Sequence, residues 1–348
     1  MTKRETARQA VPGPTPRRGG RANPHPTVST RPTESARATS RSDALVLAGT
    51  AVLSVGANKP PEHLFRRLLG VYLGGAPEFV VREYPAISSP TRDVVRTFCR
   101  RTRQPEIVSE EPDSIRLHDL SFESPVSLDQ RVQRMGRLVL SFHREAVDGW
   151  SHLPFGDDSY WARRDDEVDR EAWYIQRIAT LRLAVPDRPT ELLGAWTVAR
   201  SLERIADHAI VLGVTGPRLV ALPQGQGPMT PLRQFHAQAM EHLEGALAAK
   251  DGERANDLLD TGTALAASGE ALADRLLPGV GGGVMPPATA AAVARILESI
   301  GRTVAYAQDI VQVTLDRSIP ILPLEPPRLG GSLAPTARRE RFLSAPAR

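Results

Sequence analysis

One octapeptide pattern occurs twice, 95 residues apart: residues 198–205 read VARSLERI and residues 293–300 read VARILESI. Both fit V-A-R-x-L-E-x-I. A repeat of this kind in two stretches of helical period implies an internal duplication, so the chain must adopt a fold that can be doubled. The copies differ where charge matters. Asp207 follows Glu203 by four residues in the first, whereas Arg302 follows Glu298 by four in the second. The expectation is a doubled fold whose chemistry survives in one half.

The helical period sets in at about residue 124 and persists to about 315. Residues 127–148 place Leu128, Val132, Met135, Val139, Phe142 and Ala146 on one stripe. Residues 157–183 do so with Trp161, Val168, Ala172, Ile175 and Ala179, and residues 189–212 with Leu192, Trp196, Ala199, Leu202, Ala206 and Ala209. Each stripe obeys the i, i+3, i+4, i+7 spacing that buries one helix face. Pro186 and Pro189 separate the second helix from the third, and Gly213, Gly216 and Pro217 read as the end of the third. A linker over 213–231 precedes helices over 231–249, 252–277 and 288–315. The fold class is therefore mainly α, with two three-helix bundles over residues 124–213 and 231–315.

Ahead of them, residues 44–120 read as a small α/β module. Strand candidates are 44–55, 78–82, 107–109 and 114–118, and helix candidates are 61–72 and 89–99, with Pro61 and Pro90 in first turns. Nothing in it resembles a phosphate loop or a dinucleotide fingerprint. Residues 1–43 form an Arg- and Pro-rich leader expected to be disordered. Nine Lys or Arg against two Glu in residues 1–42 supply +7 of a total charge of +4, so the rest of the chain carries −3. The leader carries most of the basic excess, and weak, non-specific DNA contact is the partner its charge suggests. Residues 320–348 read as a flexible tail. Cys99 is the single cysteine, which excludes a disulfide framework or a cysteine-based metal cage. No stretch approaches the roughly 20 apolar residues of a membrane span. Residues 44–57 come nearest, but begin too far along to suggest a signal peptide. Cytoplasmic residence is expected, peripheral to the membrane where a transporter is the partner.

Two acidic pairs stand out. Asp165 and Asp169 share a face of the second helix, with Asp165 between Trp161 and Val168 on the apolar stripe; Glu203 and Asp207 repeat the spacing in the third. Antiparallel packing of these helices brings four carboxylates together, and a cation is the simplest means of neutralising them. Carboxylate oxygens suit Mg, Mn or Fe, and a neighbouring imidazole shifts the preference toward Fe or Zn. The competing reading is a solvated face on which Arg163, Arg164, Arg170 and Arg204 pair with the acids. His143 and His208 read as satisfied boundary histidines or as ligands. A carboxylate-bridged metalloenzyme is a third reading, but no Glu-x-x-His pair occurs and no nucleophile–base arrangement shows; a catalytic role is not expected.

The segments RDDEVDRE (164–171), LERIADHA (202–209) and LESIG (297–301) together resemble the signatures of the PhoU family of phosphate-uptake regulators, in particular its archaeal form. PEHLFRRLLGVYLGG (61–75) is similar to the linking region of those proteins. The resemblance covers residues 44–315. It implies two three-helix PhoU-like repeats with multinuclear metal clusters on acidic helix faces. The implied role is that of an adaptor that negatively regulates phosphate uptake and maintains phosphate homeostasis. Its implied partner is a phosphate ABC transporter component or a phosphate-responsive regulator, which in the bacterial branch is a sensor histidine kinase. A homodimer is a further expectation. The family's E/D-x-x-x-D motif falls on Asp165 with Asp169 and on Glu203 with Asp207. The second repeat departs from it, with Arg302 after Glu298 and only Asp257 and Asp260 on its middle helix, so a cluster of Fe, Mn, Mg or Zn is expected in the first repeat alone. Archaeal members begin with an AbrB-type swapped-hairpin DNA-binding module. Its hallmark strand run is missing here, and residues 44–55 are the candidate remnant. Decay of that domain, transfer of its role to the basic leader, or a start placed too early all fit. A DNA-binding regulator of phosphate genes is the alternative function the resemblance brings.

Overall fold

The structure is a computed structural model in which residues 49–56, 60–120, 127–151, 158–183, 189–277 and 285–319 are described. The expectations for residues 1–43, 44–48 and 320–348 lie outside them. The first described segment is an α/β module, β1 (Thr50–Val55), α1 (Pro61–Leu73), β2 (Glu78–Glu83), α2 (Ser89–Arg101), β3 (Pro105–Glu110) and β4 (Ser114–Asp119). The sheet order is β1-β2-β4-β3. β1 runs parallel to β2, with Val52 opposite Val80. A parallel pair cannot be closed by a hairpin turn, and α1 supplies the crossover. β2–β4 and β4–β3 are antiparallel, with a register shift between Ile107 and Ser109.

Each helix of the module shows one apolar face to the sheet. α1 buries Leu64, Leu68 and Tyr72, which the i, i+4 spacing aligns. α2 starts where the Ser88 hydroxyl accepts from the Thr91 amide, and buries Val95 and Phe98. Phe98 meets Tyr72 and Phe79 edge-on, with ring centroids 6.0 and 6.3 Å apart, the geometry that aromatic quadrupoles favour.

The remaining helices are α3 (Leu128–Asp148), α4 (Asp158–Leu183), α5 (Pro189–Ala221), α6 (Met229–Ala248), α7 (Gly252–Leu276) and α8 (Pro287–Ser318). α3, α4 and α5 pack on one another, as do α6, α7 and α8, and α5 lies along α8 while α3 meets α6. One continuous apolar core runs through all six. The expected stripes lie in it, apart from Trp196, which is exposed. The helix α5 turns Ala195 and Val198 inward instead, and Trp196 lies under the Arg200 guanidinium. No helix among the described residues is long and apolar enough to cross a membrane.

The packing extends the duplication beyond the octapeptides. Residues 142–146 of α3 read FHREA and residues 235–239 of α6 read FHAQA. Phe142, His143 and Ala146 are buried, as are Phe235, His236 and Ala239. The repeated helices α5 and α8 are neighbours, and so are α3 and α6, so duplicated elements meet at the junction of the two halves.

One boundary is corrected. The third helix does not stop at Gly213 but continues through Gly216 and Pro217 to Ala221. The glycines are seats for tryptophans: a Cβ at Gly213 would collide with the Trp161 ring, and one at Gly216 with that of Trp150. The Trp150 indole Nε1 donates to the Leu212 carbonyl at 2.9 Å. Burial of these two large rings outweighs the helix-breaking tendency of Gly and the amide donor that Pro217 lacks.

Candidate functional site

α4 is the element on which the acidic site depends, because three of its faces are occupied. Trp161, Val168, Ala172, Ile175 and Ala179 enter the bundle core. Asp166, Asp169, Trp173 and Arg177, at helical spacing, face the α/β module. Trp173 packs into the module's core, 6.1 Å from Phe65. Arg177 is fully buried: its Nε donates to Asp119 Oδ2 at 2.6 Å, Nη1 to the Tyr72 carbonyl, and Nη2 to the Ala76 carbonyl at 2.8 Å. Beside it, Arg103 donates to buried Glu171 at 2.7 Å, and Arg131 of α3 reaches the other oxygen at 3.3 Å. The third face, shared with α5, carries the acids.

Asp165 and Asp169 on α4 and Glu203 and Asp207 on α5 act on one another electrostatically. Burial pushes Asp165 up to about 6, with Asp207 adding repulsion and Arg101 opposing it. Burial pushes Asp169 up to about 7, reinforced by Asp165 and Glu203. Glu203 is raised by burial against the pull of Arg200 and Arg204. Asp207 is raised to about 6 by burial and then by Glu203. Asp207 stands at the exposed rim, where water screens it most and its shift counts least toward stability. Asp165 is half-buried; α4 is turned so that Val168 and Ala172 hold the core position the sequence phase assigned to it.

The sequence-level competitor fares differently for each arginine. Arg164 pairs with Glu145 at 2.9 Å and Glu167 at 2.6 Å, and Arg163 donates to Ser159. Arg204 comes no nearer than 3.9 Å to Glu203. The guanidinium that does reach the cluster is Arg101 of α2, 2.6 Å from Asp166 Oδ1 and 3.2 Å from Asp169 Oδ2. Sequence reasoning missed it, since nothing local links residues 68 positions apart.

His143 is a core residue rather than a boundary one, bonded to the Ile205 carbonyl and to His236. His208 stacks on Tyr306 of α8, and its Nδ1 is buried without a hydrogen-bond partner. In the second half Asp257, Asp260, Glu298 and Arg302 are all exposed.

The donor set of the first half is all oxygen, on two rigid helices. Glu203 Oε2 is buried with no hydrogen-bond partner. Four acids held in reach of one another at the expense of their ionisation, one with an orphaned oxygen, fit a hard cation. Among the described residues no group of three or more His, Cys, Asp or Glu side chains is placed so that it could hold a metal ion. Comparison with curated proteins finds no match. A family model described as PhoU domain matches residues 132–211, which span most of α3, all of α4 and α5 as far as residue 211, and include all four acids. The chain carries a PhoU domain.

Proposed function

We propose that this chain is a metal-binding regulatory adaptor in the cytoplasm that restrains phosphate uptake, acting through a phosphate ABC transporter or its phosphate-responsive regulator. The reading is carried by the coincidence of the PhoU domain with the acidic quartet Asp165, Asp169, Glu203 and Asp207. PhoU domains go with the regulation of phosphate homeostasis rather than with catalysis. A divalent or trivalent cation such as Mn, Fe, Mg or Zn would neutralise the quartet and cross-link α4 to α5. The helices themselves present the rigid surface that an adaptor needs, because one core ties all six together.

Two measurements test it. Metal analysis of protein purified without a metal column should find bound metal that is lost in a D165A/D169A/E203A/D207A variant. Deletion of the gene should raise phosphate uptake or derepress phosphate-transport genes. Metal-free protein whose stability the quadruple variant leaves unchanged would reduce the acids to a solvated face, and unchanged phosphate handling would remove the regulatory role.

A further inference from the structure

Two arginines fasten the α/β module to α4 in different ways. Arg177 engages Nε, Nη1 and Nη2, holding Asp119 with Nε and Nη2 and the Tyr72 and Ala76 carbonyls with Nη1 and Nη2. Arg101 makes both of its carboxylate contacts through Nη2, while its Nε is buried without a hydrogen-bond partner. Its guanidinium lies over the rings of Phe65 and Trp173, 5.3 and 5.5 Å from their centroids. A stacked, singly engaged guanidinium forgoes the fork geometry that makes Arg–carboxylate pairs strong. The side chain is 31% exposed, so water can take over its contacts. Arg177 is a permanent fastener, and Arg101 is an exchangeable one.

We propose that Arg101 is the resident counter-ion of the acidic quartet, and that its docking and cation binding at Asp169 exclude each other, so that the end of α2 registers whether the quartet is loaded. The proposal rests on the metal-binding reading above. A cation that ligates Asp169 removes the charge that holds Arg101 and repels the guanidinium. By linkage, Arg101 must weaken the cation by the factor with which the cation weakens Arg101. Arg103 on Glu171 and Arg177 on Asp119 do not involve the quartet. The module therefore stays attached through Arg103 and Arg177 while the Arg101 side chain is released from α4 and the last turn of α2 loosens. No other arginine of α2 reaches α4 by an ion pair among the described residues.

The test is Mn2+ titration of the full chain, wild type against R101Q, with the quadruple acid variant as the blank. R101Q should bind Mn2+ about tenfold more tightly, within the range usual for coupled sites. In the wild type, Mn2+ should accelerate amide exchange across residues 98–104 and leave that of β4 unchanged. Equal or weaker Mn2+ binding by R101Q, with binding still abolished in the acid variant, overturns the antagonism and leaves the metal reading intact. An absence of Mn2+ binding by every protein overturns both. Should R101Q fail to fold, the exchange measurement on the wild type decides alone, and unaltered exchange at residues 98–104 sinks the proposal.

Discussion

His143 of α3 and His236 of α6 meet edge to edge and nearly coplanar between the two halves of the bundle, ring centroids 5.4 Å apart and planes inclined by 20°. His143 Nε2 lies 2.8 Å from the Ile205 carbonyl and must donate to it, so its Nδ1 accepts from His236 Nε2 at 3.2 Å. Each ring follows a phenylalanine in a repeated Phe-His-x-x-Ala pattern. The pair is thus a meeting point of duplicated residues; one tautomer arrangement satisfies it while both rings are neutral, and protonation of His143 at Nδ1 breaks it.

That neutrality sets a pH dependence. Burial pushes His143 down from 6.5 to about 4, and burial with repulsion from His143 pushes His236 down to about 3. The unfolded chain therefore binds more protons between these values, and stability present above pH 6.5 is lost as the pH falls toward 4. The loss should be on the order of 3 kcal/mol for one such ring. Urea unfolding from pH 7.5 to 4.5 should show a smaller decline in His236→Phe than in the wild type. Equal slopes would mean that the rings do not stay neutral.

The acidic quartet acts with the opposite sign. Asp165 holds its proton up to about pH 6 when folded, against 3.8 ordinarily, so its contribution to stability declines as the pH rises from 4 to 6. In metal-free protein at pH 8, Asp165→Asn should be more stable than the wild type by about 1 kcal/mol, after allowing for water at this half-exposed site. The gap should close below pH 4. Added Mn2+ should reverse the order, because it binds the folded wild type more strongly. Thermal melts at the two pH values, with and without Mn2+, check each sign separately.

Gly216→Ala tests the long α5. Helix propensity alone favours Ala by about 1 kcal/mol. The Cβ, however, would occupy the place of the Trp150 indole, and overpacking of a filled core costs about 1–3 kcal/mol. We expect net destabilisation together with a red-shifted Trp150 emission. A stabilised variant with unchanged emission would show that the ring has room to move.

Most of the helical region was legible because each stripe is long and its period unambiguous. The module's strands and helices were legible from Pro61, Pro90 and the short strand runs between them. The end of α5 was not, since Gly213, Gly216 and Pro217 punctuate a local reading while the tryptophans that justify them lie 52 to 66 residues upstream. The four acids were legible from their i,i+4 spacing and neighbours. Arg101 was not: spacing rules reach one or two turns, and its partners belong to another element. The histidine pair could have been found, because extending the repeat search upstream from residue 198 exposes the second match at residues 142 and 235.

Arg177 and Asp119 carry the last prediction. Both are buried, and the ion pair joins α4 to β4 across the boundary between the module and the bundle. Charge removal at one side of such a pair costs about 3–5 kcal/mol, whereas replacing both sides with apolar groups of similar volume is often neutral. Arg177→Met should therefore destabilise the chain strongly, and combining it with Asp119→Leu should recover more than half of the loss. Limited proteolysis followed by mass measurement locates the effect. The single variant should be cut first around residues 120–127, between the module and α3, and the double variant should resist like the wild type. Equal sensitivity of the two would mean that the hydrogen bonds from Arg177 to the Tyr72 and Ala76 carbonyls, which methionine cannot replace, hold the module in place rather than the charge pair.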